Sequence, residues 1–155
     1  MEENSKLWIF QSRRILTEQE EQNIAEMIET FLQSWAAHGK EMKSDYKILN
    51  HKFIVITADE NHTKATGCSM DSLNRLARDI NAEYDLDLLN RLWISYETAE
   101  KDIKTILLNE FKQSVKNGLF DLNTIIYNLS VSSAKEFNEK FKQPLHQSWA
   151  KIYLN

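Results

Sequence analysis

The chain has 155 residues, one proline, three glycines and 42% hydrophobic side chains, the profile of one ordered domain spanning 1–155. A chain of this length buries roughly 70% of its unfolded surface on folding, so no disulfide or metal staple is required. Nineteen basic against twenty-three acidic side chains leave a net charge of −4, which argues against the broad phosphate-binding surface that nucleic acid demands.

A single cysteine, Cys68, excludes an intramolecular disulfide. The charged start, Met1-Glu2-Glu3-Asn4, has no hydrophobic core like that of a secretory signal, and no apolar run approaches the ~18 residues that cross a bilayer. The expectation is a soluble cytoplasmic protein without a membrane partner.

Leu7 to Gln11 reads as a first strand, apolar on both faces. Thr17-Glu18-Gln19-Glu20 is a capping box, and Ile24, Met27, Ile28, Phe31, Leu32 and Trp35 then recur at helical spacing until Gly39 stops the run. Tyr46 to Leu49 and Phe53 to Ala58 flank Asn50-His51, a short asparagine-led turn that predicts a β-hairpin. A second helix is expected from about Ser69 to Tyr84, with Leu73, Leu76, Ala77 and Ile80 on its apolar stripe. Leu92 to Tyr96 and Ile103 to Leu107 form a further strand pair. A third helix runs from about Leu108 to Gly118, and Thr124 to Tyr127 is the last strand. Ser133-Ala134-Lys135-Glu136 opens a short helix that Pro144 must end, leaving an aromatic tail with Trp149 and Tyr153. Adjacent strands joined by short turns imply an α+β fold, most simply one mixed or largely antiparallel sheet with helices packed against it.

Six segments stand out together: Leu7 to Ser12 (Leu-Trp-Ile-Phe-Gln-Ser), Trp35 to Gly39 (Trp-Ala-Ala-His-Gly), Phe53 to Ile56 with Asp59-Glu60, Thr66 to Ser72 (Thr-Gly-Cys-Ser-Met-Asp-Ser), Thr124 to Asn128, and Ser148-Trp149. In these the chain resembles a family of small bacterial proteins of similar length that carries the label "ABC transporter ATPase". The label is not supported by these residues. A phosphate-cradling P-loop needs Gly-x-x-x-x-Gly-Lys-Ser/Thr, so that backbone N–H groups wrap the phosphates and a lysine reaches the outer ones. The glycines here are Gly39, Gly67 and Gly118; Gly39-Lys40 has Ser34 in place of the first glycine and Glu41 in place of the hydroxyl. The resemblance therefore implies shared residues across nearly the whole chain but no ATP chemistry.

The segment Asp59–Ser72 joins the most strand-like run to an amphipathic helix, a junction where a rigid strand end and free helix N–H groups favour function. The leading reading is a protein that binds a small ligand or a partner there. Backbone N–H groups around Gly67, Cys68 and Ser69 would hold an anionic or carbonyl group, with Asp59, Glu60, His62 and Asp71 supplying polar contacts. The alternative is a thiol-dependent enzyme in which Cys68, its pKa lowered at the helix start, is the nucleophile, His62 its base, and Asp59 or Glu60 orients that base. Against it, Asp71 in the same expected turn raises a nearby thiol's pKa, and Ser69 and Asp71 are ordinary capping choices. Asp59, Glu60, His62, Cys68 and Asp71 lack the repeated spacings of a metal site, so no metal or cofactor is expected. A third reading is a structural or regulatory homodimer joined through Trp149 and Tyr153.

Overall fold

The computed structural model describes residues 3–36, 43–59 and 67–154. In its first half, β1 (Lys6–Gln11), α1 (Glu18–Ala36), β2 (Ser44–Leu49), β3 (Phe53–Ala58) and α2 (Gly67–Glu83) build a three-stranded antiparallel sheet in the order β1-β3-β2. The central strand, Phe-Ile-Val-Ile-Thr-Ala, is buried on both faces, which is why it reads as a continuous apolar run. Ile54 and Ile56 turn to one face with Phe10, where the apolar stripes of α1 and α2 cover them through Ile24, Ile28, Leu73 and Ile80. Phe53 and Val55 turn to the other with Leu7 and Ile9.

Local chemistry fixes the ends of these elements. The capping box forms in both directions: the Glu20 N–H donates to Thr17 Oγ1 at 3.1 Å, and the Thr17 N–H donates to Glu20 Oε1 at 2.9 Å. Arg14 pairs with the same carboxylate at 2.6 Å, and its hydrogen bonds, followed by that from Thr17, pull the Glu20 pKa down to about 2. Between β2 and β3, Asn50 and His51 both sit at positive φ (55° and 56°), as the primed hairpin turns require. The turn is closed by the Lys52 N–H on the Leu49 carbonyl at 3.0 Å. At the other end of α1, Gly39 lies outside the described residues.

The second half contains β4 (Trp93–Glu97), β5 (Ile103–Leu107), α3 (Leu108–Lys116), β6 (Ile125–Tyr127), α4 (Ala134–Lys140) and β7 (Lys142–Pro144). Two 3-10 turns follow, Leu145–Gln147 and Trp149–Tyr153. The strands form a second antiparallel sheet in the order β5-β4-β6-β7. Gly118, at φ 68°, closes α3 with its N–H on the Val115 carbonyl at 3.1 Å. Pro144 does not end the last helix, as the sequence suggests; α4 stops at Lys140, and Lys142–Pro144 pairs with β6. Proline is tolerated there because β7 is an edge strand with no neighbour on its outer side.

The fold is thus α+β, with two antiparallel sheets in place of the single sheet that strand order alone suggests. The division follows from pairing: β3 is flanked by β1 and β2, and the outer edge of β1 meets a loop, its Leu7 N–H donating to the Ser132 carbonyl at 3.1 Å. A second core lies between the sheets and joins Leu7, Ile9, Phe53 and Val55 to Tyr127, Val131 and Phe141. A third lies on the far side of the second sheet, where Phe111 and Val115 of α3 meet Ile94, Ile126, Leu145 and Ala150. No helix among the described residues is long and apolar enough to cross a membrane.

Among the described residues, one charged side chain is enclosed in this frame. Lys52, just past the hairpin turn, is 1% exposed, and its Nζ donates to the Ser12 carbonyl at 2.8 Å. Its own carbonyl accepts from the Ser12 N–H at 3.0 Å, so the residue ties the end of β1 to the hairpin twice. Burial with no offsetting carboxylate pushes its pKa down to about 8 from an ordinary 10.5. Below pH 8 both folded and unfolded chains hold the proton, and the cost of burying the charge is complete. Between 8 and 10.5 the unfolded chain keeps a proton that the folded chain has released, so stability must rise with pH. The full span is worth about 3 kcal/mol. Urea titrations from pH 7.5 to about 10, before tyrosine ionisation intrudes, should show that rise in the native chain and lose it in Lys52→Met; an unchanged slope would assign it to other groups.

Candidate functional site

Of the residues that the sequence singles out, Glu60 and His62 lie outside the described residues. Gly67, Cys68 and Ser69 contribute backbone to the start of α2, and their side chains lie outside the description. The helix begins at Gly67, two residues before the expected Ser69, so Asp71 falls in the second turn, exposed, and not in the first. That removes the expected capping role of Asp71, since the free N–H groups of a helix belong to its first turn.

Asp59 is described, and it borders a cleft. It follows β3, half-buried, with its N–H donating to the Lys43 carbonyl at 2.8 Å. Because side chains alternate along a strand, Val55, Thr57 and Asp59 share the face that looks toward the second sheet. Lys47 and Asp45 of β2 stand beside Val55 and Thr57 in the register. These residues, with Leu49, Ser5 and Phe137 of α4, surround a cleft of about 430 Å³. β6 and β7 are three residues long, against six for β2 and β3. Asp71 sits on α2, which packs on the opposite face of the sheet, and does not reach this cleft.

Trp149 and Tyr153 fold back on their own chain. The Trp149 indole N–H donates to the Tyr127 carbonyl at 3.2 Å, and its ring stacks on Phe111 with centroids 5.7 Å apart. Tyr153 meets the Trp149 ring edge-on at 6.2 Å, and Lys112 Nζ lies 5.2 Å from the Tyr153 centroid. Both aromatic residues also line a second cavity of about 510 Å³ beside the start of β4.

That cavity holds polar residues the sequence reading missed. Gln11, 4% exposed, donates from Nε2 to the Trp93 carbonyl at 3.0 Å and accepts at Oε1 from the Ser95 hydroxyl. The Ser95 and Thr105 hydroxyls are 2.8 Å apart. Arg91 donates from Nη1 to the Ile9 carbonyl at 3.1 Å, and burial lowers its pKa from the ordinary value. The one sequence signal was polarity out of place, Gln11 closing an apolar strand and Ser95 inside Trp-Ile-Ser-Tyr. Their pairing across 84 positions leaves no local trace.

Among the described residues, no three histidine, cysteine or carboxylate side chains gather as a metal ion would require. Comparisons of the chain with protein-family models, with curated proteins and with solved structures found no match, so the chemistry of both cavities is argued from their own geometry.

The Gln11–Ser95 bond is a sensitive link because both partners are buried. Ser95→Ala leaves the amide oxygen without its donor and should cost about 1–3 kcal/mol. Replacing both residues with apolar ones should cost less than the two single changes added together, since donor and acceptor of this bond are then removed together, while the Trp93 carbonyl and Thr105 hydroxyl lose the same partners as in the single variants. Urea denaturation of the two singles and the double variant checks this; additive losses would show that the bond is not the coupling between them.

Proposed function

We propose that the chain is a small-ligand-binding protein whose ligand sits in the cleft beside Asp59. The observation that carries this reading is the combination of an apolar floor and a charged rim in one concavity. Leu49, Val55 and Phe137 supply the floor; Lys43, Asp45, Lys47 and Asp59 supply the rim, and Ser5 and Thr57 add hydroxyls. Small-molecule sites span about 300–1,000 Å³ and have this composition, mostly apolar with a few polar groups that fix orientation. Two lysines and two aspartates balance in charge, so the ligand that fits is neutral or zwitterionic, with an apolar body.

A peptide strand added to the edge of β2 fits less well. The Tyr46 N–H already donates to Asp45 Oδ1 at 2.8 Å, and charged Lys43 and Lys47 flank that point. Charges along an edge are the usual means of preventing strand addition. The location keeps the strand end expected from sequence, at Asp59, and shifts the ligand from the helix start to the sheet face.

A library of neutral and zwitterionic fragments, screened by amide chemical-shift changes, tests the reading. Hits should cluster on Leu49, Val55, Thr57 and Phe137. Thr57→Tyr, which fills the cleft from its floor, should abolish them, and Cys68→Ser should leave them intact. Hits scattered over the surface, or insensitive to Thr57→Tyr, would sink the assignment; loss of the same hits in Cys68→Ser would revive the thiol.

A further inference from the structure

We infer that the cavity beside β4 is a second binding site, specific for small organic carboxylates, with Arg91 as the anion-binding group and aromatic rings holding the ligand's apolar body. The site is independent of the cleft at Asp59. The two share no lining residue and differ in electrostatic character.

Arg91 carries the argument. A guanidinium offers five N–H donors in a planar fork, and among the described residues one bond, to the Ile9 carbonyl at 3.1 Å, engages it. Among the described residues no carboxylate pairs with Arg91, and no acidic side chain lines the cavity. In a chain with 23 acidic side chains against 19 basic ones, a cation left unpaired at a cavity wall is against the general balance. Arg91 as a whole residue is exposed, so a ligand can reach it from solvent, and the covered part of its side chain lowers its pKa. The remaining donors suit a carboxylate, which a guanidinium binds through two parallel N–H···O bonds.

The walls set the rest of the ligand. Trp93, Tyr127, Trp149 and Tyr153 line the space, and a volume of about 510 Å³ admits a ring or a short alkyl chain. Tyr153 is held by its edge-on contact with Trp149, and the other three rings by hydrogen bonds, before any ligand arrives. The Trp93 indole N–H donates to Asp87 at 2.8 Å, the Trp149 indole N–H to the Tyr127 carbonyl at 3.2 Å, and the Tyr127 hydroxyl to Glu97 at 3.0 Å. Their polar tips are engaged elsewhere, so the rings present apolar surface to the cavity and little conformational entropy is lost on binding. Gln11 and Ser95 are likewise engaged with each other and with Trp93 and Thr105, which leaves Arg91 as the group able to choose a ligand by charge.

The test uses the full chain with benzoate, phenylacetate and hexanoate as probes, each against its uncharged amide. Binding is followed by NMR on the indole N–H signals of Trp93 and Trp149 and the Nε–H signal of Arg91. At least one carboxylate should saturate these signals below about 10 mM and bind roughly tenfold or more tightly than its amide. Arg91→Gln should lose that preference, the amide's affinity staying within about twofold. Arg91→Lys, which keeps the charge without the fork, should retain part of it. Thr57→Tyr, which blocks the other cleft, should change nothing. Equal binding of acid and amide, shifts away from these three residues, or no saturation with any of the probes would overturn the proposal. So would a preference that persists in a folded Arg91→Gln. The acid–amide comparison in the unaltered chain decides the matter even if that variant fails to fold.

Discussion

The packing of Phe53 between the two sheets is the contact on which the rest of the molecule depends. Its side chain has no exposed surface, and its ring lies 5.0 Å from Tyr127 and 5.2 Å, edge-on, from Phe141. Phe141 in turn meets Tyr127 at 5.1 Å and stacks with Phe137 at 4.6 Å. Each buried large side chain contributes roughly 2–3 kcal/mol, and each well-placed aromatic pair about 1 kcal/mol more. Without this seam the first sheet would present Leu7, Ile9, Phe53 and Val55 to water, since its other face already carries α1 and α2. The second sheet would face the same difficulty through Tyr127 and Ile125. The sheets are stable because each covers the other.

Apolar contact is not directional, so something else must fix how the sheets slide. Two polar links cross or brace the seam. Gln11 of β1 reaches Trp93 and Ser95 of β4, tying one sheet to the other. The Tyr127 hydroxyl donates to Glu97 at 3.0 Å, and Lys142 pairs with the same carboxylate at 2.9 Å, tying β6, β4 and β7 together. Burial, followed by the Glu97 charge, raises the Tyr127 pKa, which keeps its proton in place as the donor. Satisfied buried networks of this kind specify one arrangement where hydrophobic burial would accept several. A contrasting case is Trp35, whose indole N–H is buried without an acceptor among the described residues. Its ring compensates by packing against Trp8 at 5.8 Å and Phe31 at 5.3 Å.

The elements legible in the sequence are those whose cause is local. β3 and β5 begin and end where apolar, β-branched runs and flanking turns place them, and Thr17 and Glu20 cap α1 through the two bonds that their spacing implies. Asn50-His51 makes the hairpin for the same reason, since two adjacent residues must accept positive φ. What was not legible depends on pairs far apart in the chain. β7 exists only because β6 offers an edge to Lys142–Pro144, and proline there looked like a stop signal. The division into two sheets depends on which strand edges remain free, a property of the assembled sheet. The candidate site divides in the same way. Asp59 at the end of a strand could be located from sequence, but the residues around it, Lys43, Asp45 and Phe137, arrive through sheet pairing and helix docking. Arg91 carried no signal at all, because its isolation is a fact about what does not surround it.

The two cavities differ in electrostatic character, one charge-balanced and the other cationic, and strand geometry bears on the difference. At the Asp59 cleft, Asp45 and Lys47 are two positions apart on β2, so period-two alternation puts opposite charges on one face. With Lys43 and Asp59 beside them, their fields cancel well within the ~8–10 Å Debye length of ordinary salt. Arg91 precedes β4, where the neighbouring strand residues are Trp93 and Ser95 and the walls are aromatic. The acid that follows it by alternation is Glu97 at the far end of β4, and that carboxylate is already engaged by the Tyr127 hydroxyl and Lys142. Among the described residues no carboxylate pairs with this cation. An anion supplied from outside would do so, and such a ligand would also stabilise the fold in proportion to its binding, since the unfolded chain offers it no cavity.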